Sequence, residues 1–247
     1  MVTEQMKYLF AAILVALLSA SPANAAEEAK HLFILSGQSN MDQLNPATSF
    51  TPAVEKAFGK NNVIVVKTAQ SGQPIYRWHK KAKPIPGNMD KPGDLYAVLM
   101  KAVNTAIDGK VIKSFTFVWM QGESDAIKGQ ADLYTENFNG VLEQLRTDLK
   151  TQRLHVVIGR ISDYLAGADP EWNKMRTIQV ALAESLPNAA WIDTDDLNDG
   201  KDTHGNEIKN DPHYTQKGSA TLGQRFADKA VELINKKPDK PDAGEGR

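Results

Sequence analysis

Apolar residues in this chain follow two alternating patterns. Short unbroken runs, which read as buried strands, occur at 31–36, 62–66, 114–119, 154–161 and 190–193. Between them, apolar positions recur at helical spacing: over 51–58, with Pro52 in the first turn, and over 94–108, with Leu95, Val98, Leu99, Ala102 and Ala106. Further helices are predicted over 131–151, with Leu133, Phe138, Val141, Leu142, Leu145 and Leu149, over 170–186, and over 215–235, with Ala220, Leu222, Phe226, Ala230 and Leu233. Asp94 stands where a helix cap is expected. Strand, loop and helix in repetition predict an α/β fold, a parallel sheet with helices on both faces, because parallel strands need long right-handed crossovers. Sites in such sheets lie outside the carboxyl ends of the strands.

The first strand runs straight into Gly37-Gln38-Ser39-Asn40-Met41. A serine in a tight glycine-containing turn after a central strand holds its Oγ clear of the sheet, and the next helix aims backbone N–H groups at it. As a nucleophile it would need a histidine base; the alternative is that Ser39 only caps the helix that follows. Loop 68–73, containing Gly72, and Gln121-Gly122-Glu123-Ser124-Asp125 leave the same sheet edge. Segment 74–93 carries four prolines with Trp78 and His79, and reads as an irregular surface excursion near the site. Of five histidines, His31 begins the first strand, His155 sits inside the fourth, and His79 and His204 are in polar loops. Only His213, in Asn210-Asp211-Pro212-His213-Tyr214, combines a nearby carboxylate with a helix start at the correct edge.

Composition narrows the class. The 247 residues are 41% hydrophobic and 24% charged with a formal net charge of −1, which suits one globular core and shows no basic stripe for nucleic acid. Lys7, the apolar run 8–18 and Ser21-Pro22-Ala23-Asn24-Ala25 make a secretory signal over 1–25 with cleavage after Ala25. The run is short for a membrane span, so no stable membrane association is expected after cleavage; an uncleaved anchor is the alternative. Residues 26–235 are left for the fold, and the tail 236–247, rich in Lys, Pro, Gly and Asp, is expected to be disordered. With no cysteine, an exported chain, periplasmic or extracellular, is held by its core alone.

Taken together, Gly37 to Met41, the block Trp119-Met120-Gln121-Gly122-Glu123-Ser124-Asp125, and Asp211-Pro212-His213-Tyr214 resemble the signature blocks of the sialate O-acetylesterase and carbohydrate esterase family 6 group of the SGNH hydrolases. Ser71-Gly72-Gln73-Pro74-Ile75, with Trp78 after it, is similar to the family's second block. The resemblance implies a three-layer α/β/α sandwich with a five-stranded, flavodoxin-like sheet. It also implies deacetylation of a sugar hydroxyl without metal or cofactor. Ser39 would attack the acetyl carbonyl while His213 takes its proton. The oxyanion would be met by the N–H of Ser39, the N–H of Gly72 and the side-chain amide of Gln121, although Gly72 also suits a plain turn and Gln121 a polar strand cap. The sequence departs from the family at the orienting acid, because the position three before His213 is Asn210. Asp211, Glu123 or a backbone carbonyl would then complete the site.

Remaining features have plainer readings. Arg77, Trp78 and His79 offer a sugar subsite, with Trp78 equally suited to the core. The acidic stretch 193–202 places Leu197 where a calcium ligand is needed and reads as a solvated loop. Arg160 suits an ion pair or a substrate contact. The expected partner is an acetylated carbohydrate, xylan-like or sialic. A carbohydrate-binding protein that has lost its acid is the alternative, and a lipase or thioesterase lacks an apolar lid segment here.

Overall fold

Five parallel strands form the centre of the computed structural model, which describes residues 28–84, 89–201, 206–209 and 211–236. The expected leader, His204, Asn210 and the tail beyond Lys236 lie outside the described residues. The strands are β1 (Lys30–Gly37), β2 (Val63–Ala69), β3 (Ile112–Met120), β4 (Leu154–Gly159) and β5 (Ala189–Ile192), in spatial order β2-β1-β3-β4-β5. Leu32 to Leu35 of β1 have no exposed surface, because helices cover both faces of the sheet; this is why the strand reads as an unbroken apolar run.

The helices are α1 (Ser39–Gln43), α2 (Phe50–Phe58), α3 (Asp94–Ile107), α4 (Glu123–Ile127), α5 (Tyr134–Asp148), α6 (Pro170–Ser185) and α7 (Gln216–Asn235). On one face of the sheet α2 packs on α7; α3, α5 and α6 cover the other. The chain leaves β1 toward β2 and returns across β1 to β3, so the strand order reverses between β1 and β3. The crevice of a doubly wound sheet opens at that reversal. Here it lies between Gln38 and Gln121, the residues that follow the two strands, and the Gln38 N–H bonds Met120 O at 2.9 Å.

Several local expectations are corrected. The inward stripe of α3 is Tyr96, Leu99, Met100 and Val103, while Val98 is 55% exposed. Leu133 lies in a short 3-10 turn (Ala131–Leu133) ahead of α5 and is also exposed. Asp94 does not cap α3 from outside: Gly93 holds the cap position, and the Asp94 carboxylate receives Arg77. The excursion after residue 74 starts in the core, because Ile75, Tyr76 and Trp78 turn inward as a short 3-10 helix, and the chain reaches the surface at Lys80 and Lys81. An antiparallel pair, β6 (Gly200–Lys201) and β7 (Glu207–Ile208), was not expected. The acidic stretch after β5 is bound by cations: Arg160 pairs with Asp193 and Asp195, Arg176 with Asp195, and Arg225 with Asp196.

Gly37 is the hinge between sheet and site. Its φ is +150°, and a Cβ there would stand 1.9 Å from Met120 O, against the backbone of the neighbouring strand. Gly37→Ala therefore has to push β1 and β3 apart, and it is expected to destabilise the fold by roughly 3 kcal/mol, read as a lower thermal midpoint. An unchanged midpoint would show that the strand ends are not in close contact.

Candidate active site

Ser39 opens α1, directly after the Gly37 turn, and is 7% exposed. The first turn of a helix leaves its backbone N–H groups without intrahelical acceptors, and Ser39 is the first residue of α1. The turn is fixed from below by Gln38, whose Oε1 accepts from Gln121 Nε2 at 3.2 Å and from the Ser124 N–H at 3.1 Å. Two strand ends are thus joined by side-chain amides rather than charges.

Asn40 makes the longest-range connection. Its Nδ2 donates to Glu123 Oε1 at 2.9 Å and to Pro212 O at 3.0 Å, and its Oδ1 accepts from the Tyr214 N–H at 3.3 Å. One buried amide therefore holds the backbone on both sides of His213 against the serine's turn. The His213 side chain is 45% exposed, and its Nδ1 lies 3.6 Å from Asp211 Oδ1. The same Asp211 oxygen accepts the His213 backbone N–H at 2.8 Å, which folds the segment into a tight Asx turn. Among the described residues no hydrogen bond joins Ser39 Oγ to His213, and no other carboxylate lies in ion-pair contact with its ring.

Glu123 is placed differently from Asp211. It is buried beneath Asn40, its Oε2 has no hydrogen-bond partner, and burial pushes its carboxyl above the ordinary range against the opposing bonds from its own N–H and Asn40. Asp125 is also buried; desolvation pushes it up to about 7, opposed by hydrogen bonds from Gln121 and from the Ile75 N–H.

The 121–125 segment in turn holds the loop that carries Gly72. Gln121 Nε2 donates to Gln73 O at 3.1 Å and to Asp125 Oδ2, and Ser124 Oγ donates to Gly72 O at 3.2 Å. Gly72 itself is exposed with φ +71°, a conformation that suits glycine in a tight turn, and its N–H makes no hydrogen bond among the described residues. The Gln121 amide has no exposed surface, so it ties loops together instead of facing the crevice.

Arg77 and Trp78 do not line a sugar subsite. Trp78 is 1% exposed, packs edge-on against Trp119 at 5.2 Å and donates to Ser36 Oγ. Arg77 is held by a bidentate pair with Asp94, assisted by Asp90. Both belong to the scaffold because the loop after Pro74 turns into the core. Arg160 is likewise an ion-pair partner and also lies over the Trp191 ring.

The other described histidines are structural. His31 is bound to Ser114 Oγ, and burial, then Lys113, pushes it down to about 4; burial also lowers His155, and His79 meets Asn137. The sequence reading missed Gln38 and Asn40 as connectors. Both sit inside the Gly37 to Met41 block, but only the fold shows which partners their amides meet. Among the described residues no cluster of metal-ligating side chains is present, and no helix is long and apolar enough to cross a membrane.

Comparison with known proteins bears on the family and the fold. The family model described as "Carbohydrate esterase, sialic acid-specific acetylesterase" matches residues 42–232, beginning just after Ser39. A structure from Arabidopsis thaliana superposes with a TM-score of 0.61 at 20% identity, covering 83% of this chain and 99% of the other. A carbohydrate acetylesterase from Xanthomonas citri gives 0.59 at 18% identity, covering 82% of this chain and 56% of that longer one. A carbohydrate esterase family 3 protein from Talaromyces cellulolyticus gives 0.52 at 14% identity, covering 83% and 98%. At these identities the likeness is one of fold. No curated protein sequence matches the chain. A family model that spans most of the chain, on the five-stranded parallel sheet that was expected, identifies the protein as a carboxylic ester hydrolase belonging to the carbohydrate esterase, sialic acid-specific acetylesterase family.

Proposed function

We propose that this esterase removes O-acetyl groups from a carbohydrate through an acyl-enzyme on Ser39, with His213 as general base and then general acid, and that the leader over 1–25 directs its export. The observation that carries the reading is the Asn40 amide, which fastens the backbone flanking His213 to the turn of Ser39.

The chemistry follows from these positions. Ser39 Oγ attacks the acetyl carbonyl carbon as its proton passes to His213. The tetrahedral intermediate then collapses, the bond to the sugar oxygen breaks, and the proton on His213 goes to that oxygen. Water next attacks the acetyl-serine, giving its proton to His213; release of acetate returns that proton to Ser39 Oγ. The N–H groups of Ser39 and Gly72 suit the oxyanion, each worth about 3 kcal/mol when preorganised. Gln121 acts through the loops it holds and is a positioning residue.

Asp211 is the acid that orients His213 in this reading, since its carboxylate is the one beside the ring. The unpartnered Glu123 Oε2 favours a second reading in which Glu123 meets the imidazole once His213 has rotated toward it. Hydrolysis of p-nitrophenyl acetate separates them. Ser39→Ala abolishes turnover, Asp211→Asn lowers kcat by a factor approaching about 10⁴, and Glu123→Gln lowers it less than about ten-fold. A reversed order of the two carboxylate variants would move the acid to Glu123. Full activity in Ser39→Ala would sink the acyl-enzyme itself.

Asp125 adds a dependence on pH. Its folded pKa, about 7, lies above its ordinary value of 3.8, so the folded state binds the extra proton between those values. Stability from this group is therefore present at low pH and declines as pH rises through that window. Urea midpoints followed from pH 4 to pH 7.5 should fall less steeply in Asp125→Asn than in wild type; parallel curves would place the proton elsewhere.

A further inference from the structure

The peptide that joins Asp211 to Pro212 has no N–H, so the Asp211 carbonyl is its one hydrogen-bonding group. Asn40 takes the next groups along the chain, Pro212 O and the Tyr214 N–H. The Asp211 carbonyl is met instead by Asn198, whose Nδ2 donates to it at 3.0 Å and to Asp163 Oδ1 at 3.1 Å. Both partners are acceptors, so only the NH2 end of the amide can serve them.

Asn198 has no exposed surface and stands in the segment that leaves β5. Close packing fixes its place: the Thr215 N–H donates to Leu197 O at 3.2 Å, and a Cβ on Gly218 of α7 would stand 2.1 Å from that same oxygen. Asp163 lies in the loop after β4, where its carbonyl accepts the Ala166 N–H at 2.7 Å. Asn198 thus ties the loops after β4 and β5 to the Asp211 peptide, as Asn40 ties the turns after β1 and β3 to the peptides around His213. The Asn198 Oδ1 is buried and has no partner among the described residues. A desolvated acceptor of that kind costs free energy, so stability alone does not account for an amide at this place. Its donor end sets the plane of the Asp211 peptide, and with it the direction in which the Asp211 carboxylate leaves the chain toward His213 Nδ1, 3.6 Å away.

We propose that Asn198 is a positioning residue, which acts on the reaction by holding the Asp211 carboxylate against the His213 ring. The inference rests on the reading of Ser39, His213 and Asp211 given above.

Steady-state hydrolysis of p-nitrophenyl acetate by the full-length enzyme tests it. Asn198→Ala is expected to lower kcat by roughly a hundred-fold with KM changed less than about three-fold, since the base and its acid are misplaced while the ester still binds. In the Asp211→Asn background the same substitution should cost less than about three-fold, because the carboxylate it places is gone. Asp163→Ala, at a partly exposed side chain, frees the amide from one partner; it should lower kcat at least about five-fold in the wild type and not in Asp211→Asn. That variant decides the matter if Asn198→Ala does not fold. Equal losses in both backgrounds, or kcat within about three-fold of wild type for both variants, overturn the role of Asn198 and leave the reading of Asp211 standing. An Asp211→Asn enzyme as fast as wild type overturns the reading of the acid and this inference with it, as does a wild type that turns over no ester.

Discussion

A single buried amide, that of Asn40, joins the three parts of this site. It binds Glu123 after β3 and the two peptide groups that flank His213, while its own backbone is part of the turn that presents Ser39. Those parts are more than 80 residues apart in sequence on either side, and the amide ties the segment around His213, which has no regular secondary structure, to the first residues of α1 and α4. Loops are where mobility concentrates in an α/β sheet, so a fixed relation between serine and histidine needs a cross-link of this sort. An uncharged amide suits the place because it is desolvated at far lower cost than an ion and can donate and accept at once.

The surrounding shell repeats the device. Gln38, Gln121 and Asp125 connect the ends of β1 and β3 to the loop carrying Gly72, so the oxyanion donor proposed there is held by the same segment that carries Glu123. Buried polar networks are stabilising only when their members find partners. Two atoms here do not, Gln121 Oε1 and Glu123 Oε2, and both lie at the crevice end of the sheet, not in the aromatic core beneath it. Below, Trp78, Trp119, Tyr134 and Phe138 pack as a continuous aromatic cluster that gives the loops a rigid floor.

Much of this was legible in the residue pattern. The five strands and five long helices follow from unbroken and periodic apolar runs, and their alternation implied the parallel sheet and the edge on which Ser39, Gly72, Gln121 and His213 collect. A helix after Ser39 was expected without bounds, whereas α4 escaped because five residues carry too little periodicity to register. Trp78 and Arg77 misled because an aromatic and a cation in a proline-rich segment resemble a surface subsite; burial of the short 3-10 turn depends on Ser36 and Asp94, partners distant in sequence. Gln121 misled for a related reason, since whether an amide faces a crevice or a neighbouring loop is decided by its partners and not by its position after a strand. The contact of Asp211 with His213 was visible as a possibility two residues away, but the engagement of Glu123 by Asn40 was not.

The central claim is that Ser39 is activated by a histidine whose position the Asn40 amide sets. Labelling with a fluorophosphonate ester, followed by peptide mass analysis, reads this directly, since the reagent reports the reactivity of an activated serine without needing the natural substrate. The account predicts a single modified peptide containing Ser39, and a labelling rate about a hundred-fold lower in Asn40→Ala, as expected when a catalytic group is displaced by about 1 Å. Label on a different serine, or an Asn40→Ala variant that reacts as fast as wild type, would contradict it.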